Sequence, residues 1–311
     1  MRRWLVPVVC VAIGLAAIAM LGDVRQLTAR LAGFQWSAFA LALALALANY
    51  AIRFVRWQLY LRRQALAVPT VDSALVFGAG LSLSITPGKV GELVKSYLLR
   101  ARFAIPAART APIVIAERVT DLLALLVLAV LGAAAYGVAP TAVAAAGAVV
   151  GAGLVLLAWP APARALITAL TAPRPLRRLR GPLTTLYGEL AGLCRPRTLA
   201  LATALAIPAW ACEGLGFARI VDAFPGAHVE LGVALAVYAA TTIVGALSFL
   251  PGGLGVTEGA MTLLLVRAAT GLDTASALDA TLLTRLATLW FAVVLGLACL
   301  ALAQRRAAIL R

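Results

Sequence analysis

Two short stretches, far apart in the chain, put residues suited to holding an anion into otherwise apolar surroundings. The first runs Leu83-Ser84-Ile85-Thr86-Pro87-Gly88-Lys89-Val90-Gly91, the second Leu247-Ser248-Phe249-Leu250-Pro251-Gly252-Gly253-Leu254-Gly255. A Pro-Gly pair interrupts a helix, because proline lacks an N–H and pushes the residue before it out of the helical region. In hydrocarbon the backbone groups so freed must face protein or a wet cavity. A helix that restarts after the break offers free N–H donors and a partial positive charge, which suits a phosphate. Lys89 stands at the first restart. At the second, Gly252, Gly253 and Gly255 would let a ligand approach the backbone, and Thr257 is a candidate N-cap. A kink that serves packing alone is the other reading of each break.

Ionisable residues in or beside apolar spans are costly to bury and often mark function. Glu92 lies three residues before Lys95. Glu117, Arg118 and Asp121 make a patch on one helix, Arg118 being three residues from Asp121. If that helix starts near Pro112, Asp121 lies about 13 Å along it. Glu213, Glu258 and Arg285 complete the set. These charges could simply pair and hold a bundle together. Alternatively, Arg118 and Arg285 grip a head-group phosphate while Glu92, Glu213 or Glu258 exchanges a proton. Spacing alone does not choose among the three carboxylates.

The elements that must position these residues follow from composition. The chain has 311 residues, 63% of them hydrophobic and only 13% charged, with a mean hydropathy of +0.99. That is too little polar surface for a soluble globule, and it excludes disorder and a secreted disulfide scaffold. The reading is an all-α, polytopic membrane protein. Uncharged or nearly uncharged stretches long enough to cross a bilayer run over 4–22, 31–52, 122–164, 199–221, 231–250 and 281–303. The 122–164 stretch divides at Gly137–Pro140 into two antiparallel helices. Residues 4–22 follow Arg2 and Arg3, and Ala17-Ile18-Ala19 resembles a cleavage site, but an uncleaved first helix is expected. Cys10, Cys194, Cys212 and Cys299 form no CxxC pair and His228 is the only histidine, so no metal and no cofactor is expected. The net charge of +15 sits between apolar spans without any nucleic-acid signature, so no nucleic-acid partner is expected.

Positive charge concentrates on cytoplasmic loops. Threading from Arg2 and Arg3 places inside Arg53, Arg56, Arg62, Arg63, Arg100, Arg102, Arg109, the loop arginines 164, 174, 177, 178, 180, 195 and 197, and Arg305, Arg306 and Arg311. Arg25 and Arg30 fall outside. Both termini are then cytoplasmic, provided residues 70–99 and 231–268 enter and leave on the same side as re-entrant helical hairpins. The expected fold is about six crossing helices plus two such hairpins. Within the basic loop 160–198, Leu183, Leu186, Leu190 and Leu193 make one apolar stripe, which suits a helix on the inner membrane surface. Trp36, Trp57 and Trp159 fall near span ends, as interfacial tryptophans do.

The two breaks share the pattern L-S-x-x-P-G-x-[VL]-G, and Arg118-Val119-Thr120-Asp121-Leu122 echoes Arg285-Leu286-Ala287-Thr288-Leu289. With opposite orientations these segments form an inverted repeat, a transporter signature whose site lies near the midplane. The halves are 1–139 and 140–311, the second carrying the basic loop, within a single membrane domain.

Four motifs carry a resemblance: R-W-Q-L-Y-L at 56–61, T-P-G-K-V-G-E-L at 86–93, E-R-V-T-D-L-L at 117–123 and L-P-G-G-L-G-V-T-E at 250–258. In this order, over nearly the whole chain, they resemble the flippase-like membrane family, the transmembrane region of lysylphosphatidylglycerol synthases (multiple peptide resistance factors) and its stand-alone relatives. The resemblance implies a multi-pass protein of the bacterial cytoplasmic membrane that moves lipids between leaflets. No aminoacyl-transferase domain follows before Arg311, so synthase activity is not expected. The reading is a lipid flippase without catalysis, its cargo a phospholipid or a polyprenyl phosphate held at Pro87 and Pro251. With no P-loop, ATP is not its direct drive. The alternatives are a membrane glycosyl- or acyl-transferase on a lipid-linked substrate and a scaffold for a lipid-modifying enzyme. That enzyme and a second copy of the chain are the further partners considered.

Overall fold

The structure, a computed structural model, describes residues 31–136 and 140–309. The expected first span at 4–22, Arg2, Arg3, Cys10, Arg25, Arg30, Arg311 and the turn at 137–139 lie outside the described residues. Among the described residues the fold is all-helical, with one isolated bridge between His228 and Thr270. Helix α1 is Trp36–Arg63 and α2 is Thr70–Leu81. A 3-10 segment over Pro87–Leu93 leads into α3, Val94–Phe103, and then α4, Ala107–Tyr136. The second part holds α5 (Pro140–Ala158), α6 (Pro160–Leu170), α7 (Arg180–Leu193) and α8 (Pro196–Asp222). It continues through α9 (Leu231–Leu247), a 3-10 turn at Pro251–Gly253, α10 (Val256–Ala268), α11 (Thr274–Arg285), a π-helical turn at Leu286–Trp290 and α12 (Phe291–Ile309).

Among the described residues, three helices are long and apolar enough to cross a membrane: α1, α8 and the run Thr274–Arg306. A fourth span is available if α5 and α6 count together, although they bend by 98° at the Trp159–Pro160 junction. Helices α2 and α9, at 12 and 17 residues, are apolar but shorter. Each of these two precedes a Pro-Gly break and packs against the helix that follows it, α3 and α10 respectively.

Small residues let these helices approach closely, as in other membrane bundles. At the α1–α8 crossing, a Cβ added to Gly216 would lie 3.3 Å from Ala42. At the α4–α9 crossing, a Cβ on Gly132 would overlap Ala236 at 1.9 Å. Helix α12 crosses the end of α2 where Gly296 faces the Ser82 backbone nitrogen, again leaving no room for a Cβ. The α1–α8 and α4–α9 pairs bring the segments before and after each break to one centre.

Four expectations need correction. Arg53 and Arg56 are not loop charges, because α1 continues to Arg63 and buries both. The run Asn49, Arg53, Arg56, Tyr60 lies along one face of α1, turned inward. Trp57 is fully buried, donating to Ser73 Oγ (3.0 Å) instead of anchoring at an interface, whereas Trp36 and Trp159 are exposed. Helix α7 packs on α4, and Leu190 and Leu193 join the core around Trp57, Tyr60, Leu99 and Ile113. Its apolar stripe therefore serves the protein interior at that end. Finally, α4 begins at Ala107 with Pro112 inside it, so Asp121 lies about 21 Å along the helix at 1.5 Å per residue.

Candidate functional site

The two breaks touch. The Gly88 Cα faces the Phe249 ring, and Gly252 faces Ile85. Beside them opens a cavity of about 270 Å³, walled by both breaks and by α1, α4, α8, α9 and the α11–π junction. Of the residues singled out by sequence, Gly88, Lys89, Arg118, Asp121, Glu213, Gly252, Gly253, Thr257 and Arg285 line it. Pro87, Gly91, Glu92, Lys95, Glu117, Pro251, Gly255 and Glu258 do not; they stand behind that wall or at its edge.

The first break holds itself together locally. Thr86 Oγ1 accepts from the Gly91 N–H (2.7 Å) and donates to the Leu83 carbonyl (2.7 Å). Gly88 and Lys89 both take left-handed backbone, φ 57° and 55°. That conformation is easy for glycine and strained for lysine. It swings the Lys89 side chain into the cavity, with Nζ 5.4 Å from the Trp210 ring centroid. Helix α3 restarts only at Val94, so Lys89 precedes the restart by a turn.

Behind Lys89 lies a buried ion network. Lys95 Nζ bonds Glu92 Oε2 (3.1 Å) and Glu117 Oε2 (2.5 Å). Arg118 Nη2 donates to Glu92 Oε2 (3.3 Å) and forms an ion pair with Asp121 Oδ2 (3.0 Å). Arg56 Nη1 bonds Asp121 Oδ1 (2.7 Å), which also accepts from Trp210 Nε1 (3.1 Å). Arg53 approaches Glu92 at 3.8 Å and lies over the Trp210 ring. Ion pairs this deep are tolerated because each charge finds several partners. Even so, Arg53 Nε and Arg118 Nε are buried without a hydrogen-bond partner among the described residues.

The second break is simpler. Gly255, not Thr257, stands at the N-cap of α10, and its N–H donates to Glu258 Oε2 (2.6 Å). The α10 terminus is thus already neutralised by its own carboxylate. Thr257 is buried against Gly245 and Gly253, both too close to it to carry a Cβ. Arg285 Nε bonds Glu258 Oε1 (2.6 Å) and Arg285 Nη2 bonds the Gly252 carbonyl (2.5 Å). The π-helical turn that begins at Leu286 re-aims Thr288 and Leu289 into the same cavity, as such turns often do at functional sites.

The two breaks therefore share a pairing, not only a motif. In each, the arginine of the later helix bonds the glutamate that follows the Pro-Gly break: Arg118 with Glu92, Arg285 with Glu258. Sequence reasoning missed Arg53, Arg56, Tyr50, Trp210 and Tyr238. Tyr50 donates to the Thr288 carbonyl (2.7 Å) and Tyr238 to Glu213 Oε2 (2.5 Å). The inward face of α1, read as a continued helix, was the available signal for Arg53 and Arg56. The aromatic residues gave none, being ordinary members of apolar spans.

A family profile described as the lysylphosphatidylglycerol synthase TM region matches residues 6–296. The chain belongs to that family. It is therefore a membrane protein of a lipid-related family, as the four motifs implied. A comparison with curated proteins finds no match.

Proposed function

We propose that this member of the lysylphosphatidylglycerol synthase transmembrane-region family is a lipid transporter, without catalysis of its own. It would move a phospholipid or lipid-linked phosphate between leaflets. The observation that carries this is the cavity where the two breaks meet: Arg53, Lys89, Arg118 and Arg285 line it against only Asp121 and Glu213. A phosphate there would lie among the cationic side chains of Arg53, Lys89, Arg118 and Arg285, whose N–H groups can donate charge-assisted hydrogen bonds to it.

The wall beyond the charges is apolar. Leu247, Phe249 and Leu250 line the cavity and are also exposed on the surface of the protein. Leu122 and Leu247 are shared with a small crevice made only of aliphatic side chains between α4, α5 and α9. A head group among the arginines could thus leave its hydrocarbon tail along this side. In this reading the two broken segments are re-entrant hairpins of an inverted repeat, residues 1–139 and 140–311. Six further helices cross, and the halves rock to open the cavity to each leaflet in turn. Both termini face the cytoplasm of a bacterial inner membrane, where the arginine-rich 160–198 segment could meet a lipid-modifying enzyme.

Reconstitution tests this. In phosphatidylcholine vesicles carrying fluorescent NBD-phosphatidylglycerol, the protein should speed exchange of the probe between leaflets. Arg118→Ala and Arg285→Ala, still folded, should lose most of that rate. Full rates in both variants would sink the phosphate role. Cysteines placed at Ala101 and Leu272 should label from the inside and the outside respectively.

A further inference from the structure

Five carboxylates surround the cavity, and the structure separates one from the rest. Glu92, Glu117, Asp121 and Glu258 each bond a lysine or arginine within 3.3 Å. Glu213 has no such partner among the described residues. It is buried on α8, lines the cavity, and accepts one hydrogen bond, from the Tyr238 hydroxyl. A carboxylate tied to a guanidinium keeps its charge; one held only by a phenol can take up a proton without breaking an ion pair.

We propose that Glu213 is a proton-carrying site that couples proton movement to binding of a lipid phosphate in the same cavity. This rests on the transport reading above and adds its driving force. The groups facing Glu213 are Tyr50 and Arg53 of α1, Lys89 of the first break, Asp121 of α4 and Tyr238 of α9, with Arg285 of α11 beyond Tyr238. On α8 itself Cys212 is adjacent and Arg219 is exposed. The cations attract a phosphate into the cavity, while an ionised Glu213 repels it. A proton on Glu213 removes that repulsion and turns the acceptor into an O–H donor toward the phosphate. Proton and phosphate therefore favour each other's binding, by reciprocity. On loading, an O–H bond forms between an aqueous proton and a Glu213 oxygen. On release across the membrane the same bond breaks to water, and no electrons change hands.

The aliphatic side of the cavity assigns the phosphate to a lipid head group, not to the free ion. The test is proton uptake in weakly buffered detergent solution when dihexanoyl-phosphatidylglycerol is added to the purified protein. Wild type should take up about one proton per bound lipid. Glu213→Gln should take up none. Tyr238→Phe, which keeps the carboxylate, is the second variant should Glu213→Gln misfold, and its uptake should shift to a different pH range. His228→Ala, which removes the exposed histidine, should leave uptake intact. No uptake in wild type, uptake unchanged in Glu213→Gln, or uptake lost in His228→Ala each overturns the proposal. Equal uptake with inorganic phosphate would overturn the lipid assignment. In vesicles, an imposed pH gradient should bias NBD-phosphatidylglycerol toward one leaflet in wild type but not in Glu213→Gln. Absence of any probe movement, with proton uptake preserved, would defeat the transport reading and leave Glu213 as the proton site.

Discussion

The two breaks share a motif and an Arg–Glu pair, yet they are built to different tolerances. Around the first, Glu92 meets Arg53, Lys95 and Arg118, and the network runs on through Asp121 to Arg56, with Glu92, Lys95, Glu117 and Arg56 all at most 1% exposed. Arg118, at the cavity end of that network, keeps 20% of its surface. Around the second break Glu258 meets one cation among the described residues, Arg285, and both side chains keep 13–14% of theirs. A charge with three partners in a dry site is fixed in place. A charge with one partner at a partly wet edge can exchange it. In the transport reading proposed above, the network around the first break would act as a rigid electrostatic frame and the Arg285–Glu258 pair as the movable grip. In that reading, this asymmetry suits a site that must hold an anion and then release it.

The sharpest way to break the comparison is to remove a member of the frame. Asp121→Ala leaves Arg56 fully buried without its carboxylate, and Arg118 and Trp210 each lose a partner. Stranding a buried charge should cost about 3–5 kcal/mol. The thermal unfolding midpoint in detergent should drop well below wild type, or the protein should fail to purify as a single species. A midpoint unchanged from wild type would mean that the network is not the frame.

Next in size is the movable cation. Arg285→Ala removes a donor from the cavity and leaves without a partner the Gly252 carbonyl, at the cavity edge, and a carboxylate that still caps the Gly255 N–H. Stability should change little. Affinity for dihexanoyl-phosphatidylglycerol should fall by about 1.5–3 kcal/mol, the range for a charge-assisted hydrogen bond, or roughly tenfold to a hundredfold. Titration calorimetry reads the affinity and a thermal melt in detergent reads the stability, which separates the two effects. If Arg285→Ala destabilises the fold as strongly as Asp121→Ala, the halves do not differ in the way described.

Much of this site was legible because it violates local rules. Proline and glycine in the middle of apolar stretches at 87–88 and 251–252, and arginines at 118 and 285 inside spans, conflict with helix and membrane preferences and so announce themselves. The partners were not legible, since the pairing of Arg56 with Asp121 or of Lys95 with Glu117 is a fact of tertiary packing. Arg53 and Arg56 were misplaced for a specific reason: 22 uncharged residues precede Arg53, enough to cross a bilayer, so the charges that follow look like interfacial loop charges. The α1 helix runs on for another ten residues and carries them inward. Trp57 failed with them, being one residue further along the same continued helix. The α7 stripe was ambiguous in principle, because an apolar face reads the same whether it meets lipid or α4.

A steric version of the comparison comes next. At the second break Gly245 sits against Thr257, where an added Cβ would fall 1.9 Å from Oγ1. Gly245→Ala should cost about 1–3 kcal/mol through overpacking. Gly245→Ala with Thr257→Ala should recover most of that loss, because the clash is with one side chain. Failure of the double variant to recover would show that the backbone there has no slack, against the view of this half as the adaptable one.

The smallest effect expected is at Glu258. Glu258→Gln keeps an oxygen for the Gly255 N–H and removes the charge that Arg285 faces. For a pair at this exposure the loss should be about 1 kcal/mol or less. The freed guanidinium should meanwhile bind a phosphate more readily, since its competitor is gone. Glu258→Gln should therefore unfold close to wild type while binding dihexanoyl-phosphatidylglycerol more tightly. The equivalent change in the frame, Glu92→Gln, should do the reverse: it leaves Lys95 and Arg118 short of a carboxylate in a site from which water is excluded, and stability falls before any gain in affinity can be read. Opposite signs from the same substitution at matched positions are the most discriminating result that the two halves can give.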